Sequence, residues 1–396
     1  MPTVHIINSI KIDVYAREHL PPHFHALYAE HEMLIEISTL ATYAGWKRGG
    51  IIGGLIGGGL FVLPGALIIA VLALAYGAFG NLPVVQALFL GVKAAVVIIV
   101  IGALIKIAKR ALIKPSHKWL AFTAFVALFV FALPFPLVIL IAALFGAIGA
   151  SSTQATTPLP TGSMRKSVAI LSTGCLLWAA PIVVVVLSDN RFLVEVGVFF
   201  STLAIVTFGG AYAVLAYMTQ EVVVTFGWLS TAQMMDALGL AETTPGPLIL
   251  VTQFVGMIAG LSEGGITMAL IAGVLTLWVT FVPCFIWIFA GAPLIDWLDG
   301  RPRLQGSLAA ITAAVVGVIA NISLWFALHV FFATAVPLQW GPVQSIWPQL
   351  ETMQLLPVGL AAIAAILLLK MGWSLPRVLL ISAALSLIFN LLSGFF

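Results

Sequence analysis

The chain has 396 residues, of which 62% are hydrophobic and only 8% charged, with a formal net charge of +3; its mean hydropathy is +1.16. A soluble domain carries about a quarter charged residues, so these values exclude a soluble enzyme or regulator and define an all-α polytopic membrane protein with the lipid bilayer as its first partner. The basic residues sit in short loops, so the charge says little about other partners, and no nucleic acid is expected. Cys175 and Cys284 lie in apolar runs, which predicts packed free thiols and no disulfide framework.

Residues 1–38 do not match the rest and read as a short soluble β-like leader. They hold five of the seven histidines, His5, His19, His23, His25 and His31. Residues 4–7, a turn at Asn8-Ser9 and residues 10–15 predict a β-hairpin. Pro21-Pro22 breaks the chain, and 24–37 can pair again as strand. The start is polar and lacks the apolar run of a signal peptide. His23-x-His25 beside His19, Glu30 and His31 has zinc-ligand chemistry but no strict ligand spacing, so no metal is expected. The segment Glu18-His19-Leu20-Pro21-Pro22-His23-Phe24-His25, with Tyr28-x-Glu30, resembles the opening half of a small uncharacterised bacterial domain common beside toxin–antitoxin genes.

From residue 41 the chain turns apolar. Lys47-Arg48 precede a predicted span over 49–79 containing Gly49-Gly50, Gly53-Gly54 and Gly57-Gly58-Gly59, spacings that let helices approach closely in lipid. Pro64-Gly65 is expected to interrupt this span near its middle. A second span over 83–107 carries Lys93 in its interior. Residues 106–118 form the most basic loop, and 119–150 read as two short spans around Pro134-Phe135-Pro136. A Ser/Thr/Pro/Gly linker at 151–167 separates two halves. Further spans are predicted over 168–187, 194–218, 245–262, 264–290, 305–335, 355–370 and 376–394. Residues 219–242, only half apolar, read as re-entrant. The total is ten or eleven transmembrane or re-entrant helices.

With Lys47-Arg48 inside, the 106–118 loop, Arg165-Lys166, Arg301/Arg303 and Lys370/Arg377 fall on the same side if 219–242 does not cross. The loop 336–354, without Lys or Arg, falls on the other. The positive-inside rule makes the basic side, with loops 106–118, 151–167 and 292–304, cytoplasmic.

The chain also aligns with itself. At an offset of 211, Tyr43-Ala44-Gly45 lies on Phe254-Val255-Gly256 and Gly53-Gly54 on Gly264-Gly265. At an offset of 219, Pro64 meets Pro283, Gln86 meets Gln305 and Ala94-Ala95-Val96-Val97 meets Ala313-Ala314-Val315-Val316. The derived topology makes the copies antiparallel, as in transporters built from inverted repeats. The domain reading is a leader at 1–38, a first repeat at 39–150, the linker at 151–167 and a second repeat at 168–396. In this reading the first copy lacks its leading span and its own Pro-Gly-Pro element.

Several long ordered motifs now carry a family resemblance. In the second half these are Phe208-Gly209-Gly210-Ala211-Tyr212-Ala213-Val214-Leu215, Gly227-Trp228-Leu229, the run Gln233-Met234-Met235-Asp236 through Glu242-Thr243-Thr244-Pro245-Gly246-Pro247, and Gln253-Phe254-Val255-Gly256. In the first half they are Tyr43-x-Gly45-Trp46, Phe61-Val62-Leu63-Pro64-Gly65-Ala66 and Gly91-Val92-Lys93-Ala94-Ala95-Val96. Over 39–396 the chain resembles the chromate ion transporter family, with Ala216 where that family usually has proline. The resemblance implies a secondary active antiporter that exports chromate, a tetrahedral dianion akin to sulfate, from a bacterium across its inner (plasma) membrane using the proton-motive force. It implies no enzyme activity and no cofactor, and allows a homodimer. The alternative is a non-transporting remnant, or a subunit that needs a complete partner.

An oxyanion calls for converging donors. Thr243, Thr244, Pro245, Gly246 and Pro247 read as a helix start within the membrane: a hydroxyl N-cap, then proline near the first helical position. Such a start offers N–H groups and the positive end of a helix dipole. Phe208, Gly209 and Gly210 read as an unwound turn with bare N–H groups. Lys93 is the only deep cation; a charge there costs at least about 2.5–3.5 kcal/mol, so a partner or watery cavity is expected. Asp236 and Glu242 would repel a dianion and read as proton carriers or capping groups. His329 reads as a packing residue and Asn321 as an inter-helix hydrogen-bond donor. The span residues contain no nucleophile–base pair, so no catalytic residue is expected.

Overall fold

The computed structural model describes residues 3–7, 10–13, 23–28, 31–149, 161–206, 211–291 and 301–393. At the N-terminus β1 (Thr3–Ile7), β2 (Ile10–Asp13), β3 (His23–Tyr28) and β4 (His31–Glu36) form one antiparallel sheet in sequence order. Ile7 pairs with Ile10, and Tyr28 with His31. The single strand expected over 24–37 is therefore two antiparallel strands, β3 and β4.

The other described residues form helices, one β-hairpin and the loops that join them. The helices of the first part are α1 (Ile37–Phe79), α2 (Pro83–Ala111), α3 (Pro115–Phe129) and α4 (Phe135–Gly149). Next come α5 (Thr161–Leu187), α6 (Arg191–Val206), α7 (Ala211–Thr219) with a π-helical turn at Gln220–Thr225, and α8 (Thr231–Thr243). A single 3-10 turn at Leu248–Leu250 leads into α9 (Val251–Gly291), followed by α10 (Pro302–Phe331). The chain closes with α11 (Leu355–Ala365), extended by a π-helical turn at Ile366–Lys370, and α12 (Leu375–Leu392). Among the described residues six helices are long and apolar enough to cross a membrane.

Two of them fold back on themselves. In α1 the break falls at Gly49 (φ −132, ψ 21) and Gly50 (φ 61, ψ −150). In α9 it falls at Gly264 (φ −156, ψ 27) and Gly265 (φ 69, ψ −157), nearly the same pair of conformations. Only glycine takes the second of these without a steric penalty. Each break turns the chain through a helical hairpin whose arms touch through residues without side chains. Gly45 lies against the Gly53 carbonyl, and a Cβ on Gly57 would sit 2.5 Å from the Ala41 oxygen. In α9 a Cβ on Gly260 would sit 2.7 Å from the Ala269 Cα. The structural counterpart of Gly264-Gly265 is thus Gly49-Gly50. Gly53-Gly54, the expected counterpart, lies within the second arm: Gly53 meets the first arm and Gly54 meets Phe289.

The long arms of the two hairpins pack antiparallel, with Gly54 at Phe289 and Gly58 at Phe285. Pro64 does not interrupt its span, since the helix continues through it as α9 does through Pro283. The outer face of α1 is a stripe of Leu60, Leu63, Leu67 and Val71, each at least 60% exposed, at the spacing of a lipid-facing surface. At the centre, α2 and α10 bury Ala94, Ala95, Ala313 and Ala314 completely. Small residues there allow the close backbone approach on which helix packing in lipid depends. The long arm of α9 is joined to α5 by a reciprocal pair: Trp178 Nε1 donates to the Val279 carbonyl and Trp278 Nε1 to that of Leu177, both at 3.0 Å.

Three further expectations change. The loop 336–354 holds a two-stranded hairpin, β5 (Ala335–Trp340) and β6 (Val343–Pro348), turning at Gly341 with φ 58. Neither Cys175 nor Cys284 is in a disulfide, as expected, but both are exposed rather than packed. Asn321 lines a cavity of about 220 Å³ under the hairpin, with Gln220, Gln339 and Gln344, instead of bridging helices. His329 does pack: its Nδ1 lies 2.8 Å from the Trp325 carbonyl, which can only accept, and its ring is 4.1 Å from the Trp325 ring.

Candidate functional site

The centre of the molecule's polar chemistry is α8. Its start is fixed by a capping box: Ser230 Oγ accepts from the Gln233 N–H and Gln233 Oε1 accepts from the Ser230 N–H. From there the helix runs into the protein and presents two buried carboxylates, Asp236 and Glu242, 4% and 5% exposed.

Asp236 is held by two other helices. Tyr76 on α1 donates its hydroxyl to Oδ2 at 2.7 Å, and Lys93 on α2 places Nζ 3.3 Å from Oδ1. That approach is an ion pair without hydrogen-bond geometry, since Oδ1 has no hydrogen-bond partner. The partner that a mid-span lysine requires is thus a carboxylate. Each charge offsets the cost of burying the other. Tyr76, which the sequence reading passed over, completes the cluster. Its ring packs edge-on against Phe89 and Phe254, which fixes the hydroxyl on the carboxylate.

Glu242 has a different environment. Tyr212 on α7 donates to its Oε1 at 2.9 Å, and no cation pairs with it among the described residues. Two acids on one helix therefore each receive a tyrosine hydroxyl, and only one also faces a lysine.

At the far end of α8 the Thr-Thr-Pro-Gly-Pro segment differs from its sequence reading. Thr243 and Thr244 do not cap the following helix. Both hydroxyls turn back and donate to the Leu240 carbonyl, at 2.8 and 2.7 Å, satisfying the C-terminal end of α8. Pro245 and Gly246, the latter at φ 128, carry the chain around the break. Pro247 then precedes the 3-10 turn into α9, and no side chain caps that start. The donors left at the break are main-chain N–H groups rather than threonine hydroxyls.

This break is packed against α1 at Gly65, whose missing side chain admits the Pro245 carbonyl and Gly246. One turn into α9, Gln253 Nε2 donates to the Ala66 carbonyl at 3.1 Å, and its buried Oε1 is unpartnered. Lys93 does not reach the break. Tyr76 and Gly65 are eleven residues apart on one helix, roughly 16 Å at 1.5 Å per residue. The structure therefore resolves the sequence candidates into two places on one face of α1: an ion-paired cluster at Tyr76 and a broken helix at Gly65. Phe208, Gly209 and Gly210 lie outside the described residues.

An all-helical integral membrane protein that crosses the bilayer several times, with paired charges and a broken helix inside it, is the class these features define. The profile of the family described as "Chromate transporter" matches residues 32–147 and 194–388, and the chain belongs to that family. Among curated proteins it is similar to the chromate transport protein of Cupriavidus metallidurans, 29% identical over 296 residues, which covers 71% of this chain and 66% of the relative. The probable chromate transport protein of Synechococcus elongatus is 27% identical over 72% of this chain and 68% of its own length. The chromate transport protein of Pseudomonas aeruginosa is 28% identical over 72% and 66%. The chain thus spans about two thirds of the length of these relatives. No solved structure matches it.

Proposed function

We propose that this protein is a secondary transporter that exports chromate across the inner membrane of a bacterium. Family membership and the names of its relatives support the cargo. The observation that carries a transport site is the pair of Lys93, on a helix whose most apolar stretch has a mean hydropathy of 2.8, with Asp236 of α8. Charges at that depth are costly even when paired and mark ion pathways in membrane proteins, and a lysine is a group that attracts a dianion. The main-chain N–H groups at Gly246 and beyond Pro247 form a second contact for an oxyanion, on the positive end of α9.

We read the two helical hairpins as inverted copies. The matching glycine conformations and the antiparallel long arms support this. Transporters of that construction hold substrate near the bilayer midplane, at discontinuous helices. The loops 106–118, 151–167 and 292–304 are cytoplasmic in this reading.

Expression in a chromate-sensitive bacterium tests the function. The wild-type chain is expected to lower cellular chromate and raise the tolerated concentration, and Lys93→Ala to remove both effects while still inserting in the membrane. Cellular chromate unchanged by the wild-type chain would rule out export.

A further inference from the structure

The Asp236 carboxylate is arranged as a stand-in for a substrate. Two donors from different helices converge on its two oxygens, a phenol at 2.7 Å and an ammonium at 3.3 Å. A carboxylate presents two oxygens on one carbon much as one edge of a tetrahedral oxyanion does. The cation that would hold a dianion is therefore already occupied by an internal anion, and the two cannot both sit against a single Lys93. We propose that Asp236 and the substrate dianion exchange places on Lys93 and Tyr76, and that Asp236 takes up a proton as it yields, so that proton and dianion bind together. The inference rests on reading Lys93 as an anion contact.

The proton follows from burial. Asp236 is 4% exposed, and once Lys93 turns to the substrate no other described cation faces it. A buried carboxylate without its counter-charge is stable as the neutral acid. The groups on the elements packed around it are few. Tyr76 on α1 and Lys93 on α2 touch it. Glu242 lies at the other end of α8, bound to Tyr212. Lys47 and Arg48 sit beside the bend of α1 and Glu263 beside the bend of α9, while Lys106, Lys109 and Arg110 lie in the last turns of α2 and Arg377 in the first turn of α12. Nothing else among the described residues would replace the lysine.

No covalent step is involved. One proton from the aqueous side moves onto Asp236, and the dianion takes the ammonium that Asp236 leaves. The sense of this coupling differs from the proton exchange an antiporter implies. Proton and dianion leaving together still carry one net negative charge outward, which an interior-negative potential favours.

The test is titration calorimetry on the purified full-length protein in detergent, with chromate at alkaline pH, where it remains a dianion, in buffers of different ionisation enthalpy. Sulfate, which does not take up a proton in this range, serves as a second probe. The expected result is uptake of about one proton per anion bound, with affinity weakening up to about tenfold per pH unit as pH rises. Asp236→Asn should bind with a flat pH profile and no proton uptake, and Tyr76→Phe, a second variant that keeps the ion pair, should bind more weakly but retain the uptake. Proton release on binding, or uptake that persists in Asp236→Asn, would overturn the proposal. Chromate affinity unchanged in Lys93→Gln, or no anion binding by the wild type, would instead remove the site reading beneath it.

Discussion

Gly65 has no room for a side chain, because a Cβ there would lie 2.6 Å from the carbonyl oxygen of Pro245. The obstacle is backbone, which cannot swing aside as a side chain can. Gly65→Ala is therefore expected to push the broken segment away from α1, at a cost of about 1–3 kcal/mol. Thermal unfolding in detergent checks the loss of stability, and chromate export should fall with it. Full activity and an unshifted transition would mean that this contact is dispensable.

Lys93 and Asp236 should behave as a pair. Removing the lysine alone, as in Lys93→Met, strands a buried carboxylate and is expected to destabilise by about 3–5 kcal/mol. Replacing both, as in Lys93→Met with Asp236→Leu, should recover most of that stability. Chromate export should not recover with it. A double-mutant cycle with no coupling between the two positions would contradict the ion pair.

The two bends make a sharper contrast. Gly49 is at φ −132 with open space where a Cβ would stand, and Gly50 is equally open but at φ 61. Gly49→Ala should be nearly neutral, whereas Gly50→Ala should cost about 1–3 kcal/mol from backbone strain alone. Gly265→Ala, at φ 69, should match Gly50→Ala. Equal effects at Gly49 and Gly50 in thermal melts would show that packing, not φ, decides.

Topology supplies a fourth prediction. A reporter fused after Gly162 is expected to read cytoplasmic, and one placed in the Gly341 turn to read periplasmic. The same side for both would overturn the inverted arrangement.

The proposed export of a dianion also has an electrical signature. Each charge crossing the membrane is worth about 2.3 kcal/mol per 100 mV, so outward transport should slow when the interior-negative potential is collapsed. Chromate efflux from preloaded cells, with and without a potassium ionophore at high external potassium, measures this.

Much of the fold was legible because lipid leaves few choices: runs of apolar residues between 83 and 111 or 302 and 331 must be helices. The places where the chain breaks were harder. Three glycine clusters between Gly49 and Gly59 all suit close packing, and only the fold-back conformation distinguishes Gly49-Gly50 from the rest. Thr243 and Thr244 have hydroxyls that can serve either adjoining helix, and the turn at Gly246 gives them to α8. Tyr76 was hidden because its partner is 160 positions away and nothing local marks a tyrosine in an apolar run. Two signals were present and unread. Ser230-x-x-Gln233 is a capping box, and Gly341-Pro342, flanked by the strand formers Trp340 and Val343, is a two-residue turn signal.

The reciprocal bonds of Trp178 and Trp278 bear on how the protein can move. Each indole has one donor, and in hydrocarbon an unpaired donor has no water to turn to. Sliding α5 past the long arm of α9 would strand both donors at once. These two helices are therefore expected to move as one rigid body, and a rearrangement serving the proposed transport would have its hinges elsewhere.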